Sequence, residues 1–312
     1  MLRRRGKVVK NRLSRPKTEF NQRTERAFLK PRAFAIGLVC LLSFSFRSLA
    51  FGFSQTNDNQ EKPAKILAVD RLNKAYFRQV SQDFISLITA PRHWQGPDIM
   101  NLAAVFGTGT VLFTLDRDIF NWVAERRSAF SQDLSPWITK AGDGGWLLGF
   151  CGAVYGLGEM LKRPDWRRAA LLSVESLAIS SLSVATMKFI AGRARPHAWE
   201  GSQSFHPFST SSRYTSFPSG HASAAFSVAT AIAGQSESQA IDILAYSLAT
   251  LVALARVHDE AHWASDVLAG SALGYFIARG VVHLHRQDKK KVSVLISPTR
   301  GGMALAVNLS LD

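Results

Sequence analysis

Eight residues in three clusters have the types and spacing for phosphoryl chemistry. Lys188 and Arg195 form the first, followed by Pro196. Ser219-Gly220-His221, preceded by Pro218, form the second. Arg256, His262 and Asp266 form the third. Lysine offers a point charge and arginine a planar fork that holds two phosphate oxygens. A Ser-Gly pair at a helix start offers backbone N–H groups to an anion, with the glycine allowing close approach. A histidine with a carboxylate four residues on can have one ring nitrogen fixed and the other left free to attack. Each cluster taken alone also fits ordinary structure: solvated charges at a helix end, a capped helix start, a structural His–Asp pair. Their combination in one stretch of chain points to a site that grips a phosphate and breaks its ester bond.

A competing pattern is His258-Asp259-Glu260-Ala261-His262, with two histidines at i and i+4. Zinc proteases place glutamate directly after the first histidine. Here that position is Asp259, so no metal ligand is assigned. His93, His197, His206, His283 and His285 belong to no constellation and read as surface or loop residues. Cys40 and Cys151 lie in apolar runs, with neither metal-site nor disulfide spacing.

These clusters need elements to hold them. Apolar segments at roughly 99–115, 146–161, 169–190, 222–234, 241–257 and 267–284 read as six helices, with Ala, Gly and Ser suited to close packing. Residues 66–90 carry apolar positions at helical spacing (Val80, Phe84, Leu87, Ile88) and read as an amphipathic helix ended by Pro91. Lys188 ends the third apolar helix, and Pro196 is the expected stop. Ser219 is the expected cap of a helix beginning near Ala222. His262 and Asp266 are expected on one face of a helix. The 197–217 loop joins the first two clusters; its Trp199, Phe205, Phe208 and Tyr214 either admit a lipid chain or pack the loop down. Near the C-terminus, Met303, Leu305, Val307, Leu309 and Leu311 alternate at strand period, and 297–302 supplies a turn, so a short β-hairpin is expected.

The formal charge is +15, but residues 1–32 hold twelve Lys/Arg against two Glu, a net of +10, leaving +5 for the other 280 residues. The basic character therefore belongs to a tail. A nucleic-acid protein would carry it on the folded body, so no nucleic-acid partner is expected. The apolar run 33–53 follows this tail and reads as an export signal or uncleaved anchor, which sends the rest out of the cytoplasm. Residues 54–65 read as a polar linker. The domain reading is thus 1–53 basic tail and signal or anchor, 54–98 linker and amphipathic helix, 99–285 catalytic helices, and 286–312 basic run and hairpin.

Whether the bundle crosses a membrane is a matter of parity. Several segments are shorter than the roughly 20 residues a span needs. The basic turn 162–168 and the run 285–291 would share one side of a six-span bundle, with the catalytic loops on the other. An outward crossing by 33–53 reverses this and conflicts with the charge rule. The sequence favours, modestly, a bundle whose helices pack only on each other in the exported compartment, beside the membrane; the active site then faces the periplasm or exterior.

Together the three clusters resemble the phosphatidic acid phosphatase type 2 and vanadium haloperoxidase superfamily. The pattern appears as Lys188-FIAGRA-Arg195-Pro196, Pro218-Ser219-Gly220-His221, and Arg256-VHDEA-His262-WAS-Asp266, with Ala255 where the family usually has serine. The resemblance covers roughly 99–285. It implies an all-α six-helix bundle with the site at one end. It implies His262 as a nucleophile that forms a phosphohistidine, oriented by Asp266. His221 would protonate the leaving oxygen and later activate water. Lys188, Arg195, Ser219, Gly220 and Arg256 would hold the phosphate. It implies a phosphatase acting on phosphomonoesters or lipid phosphates at the cell envelope, with no metal or other cofactor. The alternatives are a haloperoxidase carrying vanadate in the same pocket and a non-catalytic envelope scaffold.

Overall fold

The computed structural model describes residues 71–94 and 96–287, together with two strands beyond them. The basic tail, the 33–53 segment and the 54–65 linker lie outside the described residues.

Eight α-helices occur among the described residues, one more than the six apolar helices and the amphipathic helix expected. They are α1 (Lys74–Thr89), α2 (Gly96–Ala124), α3 (Ala129–Lys140), α4 (Gly144–Met160), α5 (Pro164–Ala191), α6 (Gly220–Ala233), α7 (Gln239–His258) and α8 (Ala264–Gln287). Six of these match the six apolar segments, and α1 is the expected amphipathic helix. The eighth, α3, has no counterpart in the sequence reading. Its apolar Phe130, Leu134 and Trp137 are separated by polar residues, and Pro136 sits inside it, so it reads as a loop. It is started by a reciprocal serine box: Ser128 Oγ accepts from the Ser131 N–H at 3.1 Å, and Ser131 Oγ accepts from the Ser128 N–H at 3.0 Å. Beyond α8, β1 (Val292–Thr299) pairs antiparallel with β2 (Gly302–Leu309), Val292 lying opposite Leu309 and Thr299 opposite Gly302.

Helix α6 is the axis of the bundle. Every residue from Ala222 to Ala231 is buried. Phe226 packs with Val252 of α7 and Leu268 and Tyr275 of α8, while Val228 packs with Leu177 of α5 and Cys151 of α4. The closest approach is between α6 and α8. A Cβ on Gly270 would lie 2.3 Å from the Ser219 carbonyl oxygen, and one on Gly274 would lie 2.1 Å from that of Ser223. Two glycines four apart fall on one helix face and let the backbones touch. This contact sets the start of α6 against the start of α8, the two places where the second and third clusters lie.

The outer helices correct the expectation of a bundle that packs only on itself. Helices α2, α5, α7 and α8 are long and apolar enough to cross a membrane, yet only 6% of the apolar window of α2 and 22% of that of α7 is buried within the bundle. Phe106, Val111, Ile241, Leu244, Leu248 and Leu251 point outward. So large an apolar surface is stable only against lipid. The chain is a membrane protein with four candidate spans.

Candidate active site

The first cluster is placed by a reversal at the end of α5. Helix α5 stops at Gly192, four residues before the expected terminator Pro196. Gly192 takes the left-handed conformation (φ 58°), and its N–H bonds the Lys188 carbonyl at 2.9 Å. A Cβ there would lie 1.8 Å from the His206 carbonyl oxygen. The loop therefore folds back across the helix end, with the His206 N–H on the Gly192 carbonyl and the Phe208 N–H on that of Phe189, each at 2.7 Å. Its far end returns beside the cations. Lys188 donates its ammonium to the Thr215 carbonyl, and Arg195 Nη2 donates to Thr215 Oγ1 at 3.0 Å. The loop aromatics pack down: Trp199 meets Phe120, Phe205 meets Phe113, Phe208 meets Phe189, and Tyr214 stacks on His206.

The second cluster opens α6. Ser219 occupies the cap position, but its side chain makes no capping bond, contrary to expectation. Its Oγ is buried and has no hydrogen-bond partner in the structure. The first i→i−4 bond runs from the Ser223 N–H to the Ser219 carbonyl at 3.1 Å. By helix geometry the N–H groups of Gly220, His221 and Ala222 have no acceptor within the helix. Gly220 lies beside Lys188: a Cβ on it would stand 3.9 Å from Lys188 Cε.

Arg256, at the end of α7, is held by groups from α3. Its Nη1 lies 3.4 Å from Thr139 Oγ1 and 3.5 Å from Asp259 Oδ2. Asp259 in turn accepts from Ser135 Oγ at 2.6 Å and Thr139 Oγ1 at 2.9 Å. The turn between α3 and α4 runs close under His221, where a Cβ on Gly142 would lie 3.2 Å from the His221 carbonyl oxygen. His258 pairs with Ser131 and Asp259 and takes no part with His262.

His262 lies two residues before α8. Its Nδ1 is 2.7 Å from the Ser216 carbonyl oxygen. A carbonyl only accepts, so Nδ1 carries the proton and Nε2 keeps its lone pair. The direct His–Asp bond expected from the i,i+4 spacing is not made: Asp266 Oδ2 stands 4.0 Å from Nδ1. Asp266 instead accepts from Ser216 Oγ at 2.5 Å, the Trp263 N–H at 3.0 Å and Arg193 Nη1 at 2.5 Å. Its carbonyl accepts from the Ser219 N–H at 2.9 Å, which ties the second and third clusters together.

Arg193 is the functional neighbour that the sequence reading missed. It is 1% exposed and is among the largest fully buried side chains. Beyond Asp266 it binds Asp116 Oδ2 at 2.8 Å and the Ser202 carbonyl, and Ser265 Oγ bonds both Arg193 and Asp116. The available signal was Asp116, which ends the long apolar stretch of α2 and, once buried, requires a partner.

The electrostatics follow from this division of charge. Arg193 neutralises the two carboxylates, and Lys188, Arg195 and Arg256 are left facing the histidines. Burial, then Lys188, Arg195 and Arg256, push the His262 imidazole well below its ordinary value. Burial, then Arg256, push His221 down to about 4. Arg195 is lowered by burial and by Arg256. Three buried donors in this space have no hydrogen-bond partner: Arg195 Nε, Ser219 Oγ and Arg256 Nε. A neutral imidazole stands beside three cations and a helix start, an arrangement that accommodates a tetrahedral oxyanion.

Fold and site together define a helical-bundle membrane protein in which Lys188, Arg195 and Arg256 lie close to both His221 and His262. The PAP2 superfamily profile matches residues 169–290. The chain is 28% identical over 124 residues to the lipid A 1-phosphatase of Porphyromonas gingivalis, covering 39% of this chain and 25% of that protein. It is 30% identical over 166 residues to the lipid A 1-phosphatase of Rhizobium etli, covering 48% of this chain and 70% of that protein. Among solved structures, the transmembrane PAP2-type phosphatidylglycerolphosphate phosphatase of Bacillus subtilis is 24% identical with a TM-score of 0.46, covering 61% of this chain and 96% of that one. The chain belongs to the PAP2 superfamily.

Proposed function

We propose that this chain hydrolyses the phosphate monoester of a membrane lipid through a phosphohistidine on His262. The observation that carries this reading is the neutral, oriented imidazole of His262 in a space lined by three buried, unpartnered donors, Arg195 Nε, Ser219 Oγ and Arg256 Nε. Nε2 attacks phosphorus and the bond to the leaving alcohol breaks; His221, which takes up a proton once the charge of the bound phosphate offsets the neighbouring cations, gives that proton to the leaving oxygen. Water then attacks the phosphohistidine, His221 takes the proton, and inorganic phosphate leaves. Lys188, Arg195, Arg256 and the N–H groups at the start of α6 stabilise the charge of the transition state. These cations supply the role that a metal fills in other phosphatases, so no step uses one. Asp266 acts through Ser216, whose carbonyl holds the imidazole.

A lipid substrate is supported by the apolar outer faces of α2 and α7, which seat the bundle in a bilayer. The names of the two curated relatives make lipid A 1-phosphate the first substrate to test. The basic turn 162–168 at the opposite end of α5 from Lys188 supports a site facing away from the cytoplasm.

The test is phosphate release by the purified full chain from lipid A, from phosphatidate and from a soluble phosphomonoester. We expect release from a lipid substrate and an acid-labile phosphoenzyme, with both lost in His262→Ala. Full activity in His262→Ala would sink the mechanism. Equal turnover of the soluble ester would remove the lipid assignment.

A further inference from the structure

A second cluster of ionisable groups lies far from the site. Asp83 of α1, Glu175 of α5 and His285 of α8 meet in the interior, their ligand atoms within 4.8 Å of one another. Asp83 is 2% exposed and Glu175 1%. His285, expected as a surface residue, is buried. Its Nε2 lies 2.9 Å from Asp83 Oδ2 and 3.2 Å from Glu175 Oε2. Along α8, His285 is about 28 Å from Asp266 at 1.5 Å per residue, so the group is separate from the phosphate site.

Internal pairing leaves this group unsatisfied. One imidazole nitrogen faces two carboxylates, and a single N–H cannot serve both fully. Glu175 Oε1 has no hydrogen-bond partner in the structure, and Asp83 Oδ2 has only the ion-pair approach of His285 Nε2 at 2.9 Å. Two carboxylates brought together in an apolar interior are costly unless a cation lies between them. In a helix of span length, buried ionisable groups mark ion or proton sites.

We propose that Asp83, Glu175 and His285 bind a divalent transition metal ion of the zinc type. One neutral imidazole and two carboxylates cancel the charge of a dication, and a mixed nitrogen and oxygen set suits zinc. Zinc–ligand bonds of about 2.0–2.2 Å place tetrahedral neighbours roughly 3.3–3.5 Å apart. The observed 2.9 and 3.2 Å separations reach that with shifts of a few tenths of an ångström. A water completes the fourth position. Gln79 Nε2 donates to Asp83 Oδ1 at 3.0 Å and orients that ligand from the outer shell. The ion clips α1, which is not itself a candidate span, to two helices that are. The Tyr76 hydroxyl bond to the Leu171 carbonyl at 3.1 Å holds α1 to α5 independently.

The test uses the full chain in detergent, stripped by chelation and dialysed against Zn2+ or Co2+ at micromolar free concentration. We expect one ion per chain, tetrahedral visible absorption bands with Co2+, and a melting temperature that rises with Zn2+. Glu175→Gln and His285→Ala lose the ion and the shift. His262→Ala keeps both, so a failure of the phosphatase reading leaves this result standing. Wild-type protein that takes up no stoichiometric ion overturns the proposal, whether or not the variants fold. Undiminished binding in both ligand variants also overturns it.

Discussion

The imidazole of His262 is held by a backbone carbonyl, that of Ser216, at 2.7 Å, and the Asp266 carboxylate grips the hydroxyl of that same serine at 2.5 Å. Orientation therefore passes through one residue that faces both groups. Ser216→Ala removes the hydroxyl and keeps the carbonyl. A lost hydrogen bond to a charged group costs about 1.5–3 kcal/mol, so the melting temperature should fall while partial activity remains, with kcat reduced and KM little changed. A variant as inactive as His262→Ala, yet fully folded, would mean that the hydroxyl acts on substrate directly.

Arg193 joins α5 to α2 and α8 by binding Asp116 and Asp266 with separate guanidinium nitrogens. Lysine has no fork to span two carboxylates and the Ser202 carbonyl. Breaking a buried pair of this kind costs about 3–5 kcal/mol. Arg193→Lys should lose stability on that scale and lose activity without contacting phosphate. A variant with a wild-type melting curve would show that the network is dispensable.

The two histidines set the pH response. Both are depressed in the folded protein, His221 to about 4, so below about pH 6.5 the unfolded chain binds protons that the folded chain refuses. Their contribution to stability is complete above the unfolded value and is lost as pH falls through the folded one. The acid limb of kcat/KM, which reports the free enzyme, should accordingly lie below the ordinary imidazole range. Arg256→Gln removes a cation from beside both rings and should move that limb to higher pH, with KM raised. A limb unmoved in Arg256→Gln would contradict the placement of Arg256 beside them.

Gly270 and the Ser219 carbonyl make the tightest link between packing and chemistry, because Ser219 also bonds the Asp266 carbonyl. Gly270→Ala puts a methyl 2.3 Å from that oxygen, and α8 must move away. Overpacking costs about 1–3 kcal/mol, and we expect activity to fall further than that loss of stability explains. Retained activity with lowered stability would uncouple the contact from the site.

The sequence made legible what depends on residue type at short range. Helical periodicity located α1, apolar runs located six further helices, and the cations, glycine and histidines stood out as one constellation that the structure gathers at one end of the bundle. What it hid depends on tertiary position. The spacing of His262 and Asp266 predicts proximity, but the partner actually chosen by each, Ser216 and Arg193, comes from a loop more than forty residues earlier and from the end of α5. Gly192 ended α5 because the returning loop needs the space where a Cβ would stand, and nothing local announces that. His285 looked like one more residue of a basic run until α8 carried it against Glu175. Helix α3 was missed because its Phe130, Leu134 and Trp137 face outward while its polar Ser135 and Thr139, with Ile138, face the protein, nearly the reverse of the usual pattern.

That reversed face leads to the last expectation. Ser135 and Thr139 bind Asp259, and Asp259 with Thr139 sets the guanidinium of Arg256, so under the proposed mechanism α3 positions a phosphate-binding group without itself touching phosphate. Asp259→Asn leaves the shape and removes the charge. Hydroxyls that donated to a carboxylate then meet an amide, and Arg256 loses its ion-pair partner at 3.5 Å. If the role is positioning, KM should rise about tenfold, the equivalent of roughly 1.4 kcal/mol, with kcat changed less. Thr139→Val, which removes a single hydroxyl, should give a smaller shift in the same direction. A selective fall in kcat at constant KM would instead place Asp259 among the groups that act in the transition state alone.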